Sequence, residues 1–274
     1  MAHKRAACAV AALLLGGAWA EVRAQDCVAP ALGAQAGALR SRWEEFDAQG
    51  RSLVRERGTL RGTALSLDLP CGPRTWSAQL GWSRGTRDYD GLSNTGLPLA
   101  SRSRIAATEL ALQGLQALDD GWSAGLRLSH RRLRRVIADS GAVLGYPERF
   151  AYWQAGLGLR HERALTPALV MSATAWAGGG PGGHLSVQLP RTDPARLRLG
   201  RSRFAQLGLQ IGSAPPPWPT PGWSWQAGWH YLWERLDAGP AQALTRNGIP
   251  VGGAAQPRTE QRRQGLDLAV QYRF

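Results

Sequence analysis

The last ten residues, "GLDLAVQYRF" (265–274), alternate without a break. Leu266, Leu268, Val270, Tyr272 and Phe274 are apolar, while Gly265, Asp267, Ala269, Gln271 and Arg273 are small or polar. Side chains on a strand point to opposite faces in turn, so this segment has one greasy side and one wet side. Two environments accept such a strand: a half-buried sheet in a soluble protein, or a barrel wall between lipid and lumen. The rest of the chain has to decide between them.

Most of the chain repeats the pattern. "TWSAQLGWS" sets Trp76, Ala78, Leu80 and Trp82 against Thr75, Ser77, Gln79, Gly81 and Ser83. "GWSAGLRLS" sets Trp122, Ala124, Leu126 and Leu128 against Ser123, Gly125, Arg127 and Ser129. "AYWQAGLGLR" puts Trp153, Ala155, Leu157 and Leu159 opposite Gln154, Gly156, Gly158 and Arg160. "GWSWQAGWHYLWERL" lines up Trp223, Trp225, Ala227, Trp229, Tyr231 and Trp233 against Ser224, Gln226, Gly228, His230 and Glu234.

The wet face decides the matter. A soluble sandwich shows charge and Thr on its outer face; here the second face is mostly Gly, Ser and Gln. That suits a narrow, hydrogen-bonded interior. The tryptophans Trp76, Trp82, Trp122, Trp153, Trp223, Trp225, Trp229 and Trp233 then form an aromatic girdle at the lipid interfaces. An outward Arg at mid-membrane costs roughly 2–4 kcal/mol, so mid-strand charge belongs inside. Asp68, Glu109, Arg127, Arg160, His230, Glu234 and Asp267 all fall on the inner face and are expected to form a polar lumen network of paired charges.

The N-terminus, "MAHKRAACAVAALLLGGAWAEVRAQDC", has a basic start at Lys4 and Arg5, an apolar stretch from Ala6 to Ala20, and small residues at "VRA". This order reads as a signal peptide over residues 1–24, too short for a membrane-spanning helix. The formal charge of +13 is then about +11 after cleavage. Residues 25–40 read as a small-residue periplasmic tail, and 41–274 as the barrel.

Strands are expected near 42–56, 59–69, 75–88, 101–116, 121–137, 149–162, 167–177, 201–212, 222–237 and 259–274. The fold class is therefore all-β: an antiparallel up-and-down transmembrane barrel of about ten strands. The first strand is the weakest placement, so eight or twelve stay open. Even-numbered connections ("PCGPRT", "ALDDG", "HERALTP", "GSAPPPWPTPG") are short or proline-rich. Odd ones after the first run over 88–100, 138–148, 178–200 and 238–258. That parity is the pattern of short periplasmic turns and long external loops.

A terminal strand with apolar residues at Leu266, Leu268, Val270 and Tyr272 and a final Phe274 resembles the C-terminal signature of Gram-negative outer-membrane barrel proteins. The resemblance covers residues 41–274 in pattern and is specific for the class, not for a member. It implies a location in the cell outer membrane. It also implies that these five residues are the assembly signal read by the barrel-assembly machinery. No oligomeric state follows from it.

Cys8 leaves with the signal, whereas Cys27 and Cys71 both lie on the periplasmic side. They are candidates for a disulfide in an oxidising compartment, with two reduced thiols as the alternative. "SHRRLRRVI" carries Arg131, Arg132, Arg134 and Arg135 at an outer strand end. Export argues against nucleic acid as a partner. The expected partners are outer-membrane lipid and lipopolysaccharide, whose phosphates suit bidentate Arg contacts.

Three functions remain. A non-enzymatic surface or structural barrel comes first, and a narrow porin-like channel second. An outer-membrane hydrolase is third. "RDYDG" holds Asp88 and Asp90 on one face, loosely like the omptin proteases, but no Asp-x-His occurs in the chain. A hydrolase would need His184 or His230 beside those acids. Ser129 and His130 are neighbours on a strand, so they face opposite sides. No metal-binding or cofactor-binding motif is present.

Overall fold

The computed structural model describes residues 27, 29–92, 98–214 and 220–274; the expected signal peptide lies outside them. The elements are β1 (Ala31–Phe46), β2 (Ser52–Cys71), β3 (Arg74–Leu92), β4 (Pro98–Ala117), β5 (Trp122–Ile137), β6 (Pro147–Thr166) and β7 (Leu169–Val187). They continue as β8 (Ala195–Arg198), β9 (Ser202–Ser213), β10 (Gly222–Leu236), β11 (Gln242–Arg246), β12 (Ile249–Ala254) and β13 (Arg258–Arg273). Ten of them close into one antiparallel ring in the order β6-β5-β4-β3-β2-β1-β13-β10-β9-β7, with β7 returning to β6. Closure removes every sheet edge from the wall, as a lipid-exposed sheet requires. The strip β8 extends β7 beyond the wall, and β11 and β12 form a separate hairpin in the last long loop.

The first and last strands form the seam, paired from Ala31↔Arg273 to Phe46↔Arg258. This corrects two expectations. Residues 31–40 are wall, not tail, and the first turn lies at 47–51 instead of near 57. The cause is composition. Ala34, Ala36 and Ala38 give little hydrophobic signal by themselves, but their register sets them beside Val270, Leu268 and Leu266. The bulky residues of one strand cover the small residues of its neighbour.

Two loops are shorter than expected. β3 and β4 leave only residues 93–97 between them, and β7 runs to Val187. The run "AGGGPGG" (177–183) is therefore strand, although its glycines gave no alternation to read. Gly182 sits at φ +103°, where a Cβ would also collide with the carbonyl oxygens of Leu199 and Gly200. The register shifts by one residue between Trp153 and Ala155 opposite this run.

Cys27 and Cys71 are joined in a disulfide, closing a separation of 44 residues. The backbone N–H of Phe274 donates to the Pro30 carbonyl at 3.2 Å. Together these fasten Cys27 and Pro30 across the end of the seam.

Candidate functional site

Each strand changes character part-way along. Near the short turns the outer face is apolar: Leu65, Leu67, Leu110, Leu112, Leu126, Leu128, Leu157, Leu209, Leu266 and Leu268 are all exposed. Alternation puts all eight expected girdle tryptophans on this outer face. Six of them are exposed, with Trp223 at 71%, while Trp229 and Trp233 are half-buried. Apolar surface on this scale needs lipid to cover it. The architecture is that of a transmembrane β-barrel of outer-membrane type.

Inside this half the lumen is polar and holds a cavity of about 570 Å³. Asp68 accepts from Gln271 at 2.6 Å, Arg127 donates to Glu109 at 2.7 Å, and Arg160 pairs with Glu162 at 3.1 Å. His230 Nδ1 lies 2.8 Å from Asp267. Glu234 pairs with Arg131 at 2.7 Å and accepts from Gln154 at 2.9 Å. All seven expected lumen residues thus point inward and find partners.

Toward the long loops the two faces exchange roles. Outward positions become Arg and Thr, while the interior fills with Leu39, Trp43, Leu60, Ile105, Leu133, Phe150, Tyr152, Leu185 and Val187. Trp43 and Phe150 are each 1% exposed and meet edge to face at 5.4 Å. Into this apolar mass is set a charge cluster. Arg135 contacts Glu45 at 2.7 Å and both Glu56 and Glu148 at 2.8 Å. Arg87 reaches Glu56 at 3.4 Å and Ser41 at 2.8 Å, and Ser103 donates to Glu56 at 2.6 Å. Both guanidinium groups also lie 5.5 Å from the Trp43 ring. Together with Arg127, Arg131, Arg263, Glu109 and Glu234 of the lumen next to it, five arginines and five glutamates form ion pairs inside the barrel.

This overturns half of the expected lipopolysaccharide contact. Arg131 is 3% exposed and Arg135 is 1% exposed, and both point into the plug. Only Arg132 and Arg134 face outward, as exposed residues. Alternation had contained the answer: Arg131 and Arg135 share parity with Arg127, already assigned to the lumen. A run of four arginines read as one patch hid that parity. The sequence reading also missed Glu45, Glu56, Arg87 and Glu148 of the plug.

The hydrolase constellation does not assemble. Asp88 and Asp90 are exposed on the outer face of β3, and Asp88 sits 3.5 Å from Arg102. His184 lies on the outer wall against Arg196 at 3.1 Å, whereas His230 is inside with Asp267. Ser129 is buried inward, and His130 faces outward against Trp153 at 4.6 Å. Among the described residues no group of His, Cys, Asp and Glu is arranged to hold a metal ion.

No family model matches the sequence, and neither does any curated protein. Solved structures similar to the fold include the outer membrane protease OmpT from Escherichia coli (12% identity, 90% of this chain and 97% of that one, TM-score 0.48). They also include the translocator domain of the autotransporter NalP from Neisseria meningitidis (13%, 100% and 96%, TM-score 0.42). A third is the beta domain of the Bordetella autotransporter BrkA (14%, 89% and 100%, TM-score 0.40). These likenesses are of fold alone.

Proposed function

We propose that this protein is a closed, non-enzymatic outer-membrane barrel that presents a rigid external surface. The observation that carries the reading is the plug. Trp43, Phe150, Leu60, Leu133 and Leu185 are all 2% exposed or less, and the charges between them are paired among themselves. A ten-stranded wall leaves a bore that side chains can fill, and here they do. A conducting pore needs a hydrated path with charge free to meet ions; the plug offers neither. None of these five core side chains lines the lumen cavity. The residues Leu266, Leu268, Val270, Tyr272 and Phe274 stand on the lipid face of the closing strand, where an assembly machinery could read them before the seam forms.

The alternative with most physical content is a narrow solute channel, and conductance separates the two. The purified barrel, reconstituted in a planar bilayer, is expected to give no discrete current steps above the lipid baseline. Reproducible steps from the wild-type protein would sink the closed-barrel reading and install the channel in its place.

A further inference from the structure

Just above the lipid-facing belt, the outer wall of β2 to β7 carries a groove of about 870 Å³. Its cations are Arg61 of β2, Arg84 of β3, Arg132 and Arg134 of β5 and Arg149 of β6. No lining residue is acidic. These five arginines take part in none of the ion pairs or side-chain hydrogen bonds of the described residues, whereas Arg87, Arg131 and Arg135 inside the barrel each pair with a glutamate.

The register makes the arrangement costly without a ligand. Arg61 sits directly across from Arg84, and Arg134 directly across from Arg149. Like charges opposed on neighbouring strands destabilise a sheet. Between the two pairs runs β4, and the residue in line with both is Ala106. That small side chain leaves the floor of the groove open. The row below reads Thr63, Trp82, Thr108, Arg132, Ala151 and His184, and the next brings in Leu65, Leu80, Leu110 and Trp153. The basic row therefore stands where lipid tails give way to headgroups.

We infer that this groove binds a phosphorylated glycolipid headgroup of the outer leaflet, with one phosphate on each cross-strand arginine pair. The pairs are three strand spacings apart, about 14 Å. A headgroup with phosphates at opposite ends of a disaccharide can engage both pairs, while a single phosphate engages one. Guanidinium groups hold phosphate oxygens in bidentate fashion, and exposed Trp82 offers an aromatic face beside the sugars. The inference rests on the membrane-barrel reading and names the lipid that such a barrel would hold.

The test uses the full-length barrel folded in detergent, probed with bisphosphorylated lipid A, its monophosphorylated form, its dephosphorylated form and inorganic phosphate. Native mass spectrometry reads the bound fraction. Heat-modifiability on gels reports folding for every variant. The expected order of affinity is bisphosphorylated, then monophosphorylated, with the dephosphorylated lipid and inorganic phosphate far weaker. Arg84→Ala with Arg134→Ala removes one arginine from each pair and should weaken the bisphosphorylated lipid on the order of 10–100-fold. Arg163→Ala, an exposed cation at the other end of β6, should change nothing. Equal binding of phosphorylated and dephosphorylated lipid, or undiminished binding by the double variant, would overturn the inference. Tight binding of inorganic phosphate alone would assign the groove to a free anion and overturn the lipid. If the protein shows no heat-dependent shift, the barrel reading fails and the inference with it. If the shift is present and lipid A does not bind, only the groove falls.

Discussion

The half of the barrel nearest the short turns and the half nearest the long loops are built from the same strands with opposite logic. On β2, Leu65 and Leu67 face out over Ser66 and Asp68, yet ten residues earlier Arg55 and Arg57 face out over Val54 and Glu56. On β5, outward Leu126 and Leu128 give way to outward Arg132 and Arg134, as inward Arg127 and Ser129 give way to inward Leu133 and Ile137. One half is an inside-out protein solvated by lipid. The other is a small soluble barrel with an apolar core, standing in water. The difference teaches that neither half could be exchanged for the other's solvent. The level of the switch, between Leu65 and Thr63 or between Leu110 and Thr108, fixes how deep the barrel sits.

The strongest way to break the comparison is to unbalance the plug. Arg135→Met leaves Glu45, Glu56 and Glu148 facing one another without their shared cation. Removing one partner of a buried pair costs about 3–5 kcal/mol. Urea titration in detergent, followed by tryptophan fluorescence, should show that loss or an outright failure to fold. Arg160→Ala in the half with the polar lumen breaks an ion pair whose side chains are 28% and 45% exposed, and should cost under about 1 kcal/mol. Equal effects from the two substitutions would mean that the plug is hydrated.

The next test moves charge across the boundary on the outer face. Leu112→Arg, in the apolar belt, should cost roughly 2–4 kcal/mol in lipid vesicles. Ala100→Arg, exposed in the upper half and directly across from Asp90, should stay within about 0.5 kcal/mol of wild type. In urea titrations from vesicles, similar costs at both positions would place the lipid boundary elsewhere.

The fold was largely legible because alternation, turn parity and the final strand all point to one architecture. Leu266 to Phe274 could be oriented from sequence alone. The upper half was not legible, for a physical reason. Alternation keeps a period of two through the switch, but the apolar phase slips from Leu65 and Leu67 to Leu60 and Val54. Mixed inward sets such as Leu133 with Arg135 then have no apolar face to detect. The buried cluster is also assembled from distant strands, and nothing near Glu56 in sequence announces Arg135. The aspartates of "RDYDG" misled in the converse way: they share a face as expected, but that face is the outer one.

The smallest effect lies above the barrel, where the comparison is with loops that no membrane or core supports. Asp193, between β7 and β8, holds the tip of the β11–β12 hairpin. It accepts from the backbone N–H of Gly248 at 3.0 Å and Asn247 at 3.1 Å and from the Thr245 hydroxyl at 2.7 Å. These hydrogen bonds favour the charged carboxylate and hold its pKa below the ordinary aspartate value of 3.8. A depressed carboxylate contributes stability that is complete above the unfolded value and fades as pH falls through the lower, folded one. The clasp should therefore be intact at neutral pH and release only in strong acid. Hydrogen exchange at the Asn247 and Gly248 amides, corrected for intrinsic rates, should show protection at pH 7 that declines below about pH 4. Asp193→Ala should remove that protection at pH 7 and leave the heat-modifiability of the barrel untouched. Protection that survives the substitution would mean the hairpin holds its own tip. A fall in barrel stability would mean that the loops and the wall fold as one unit.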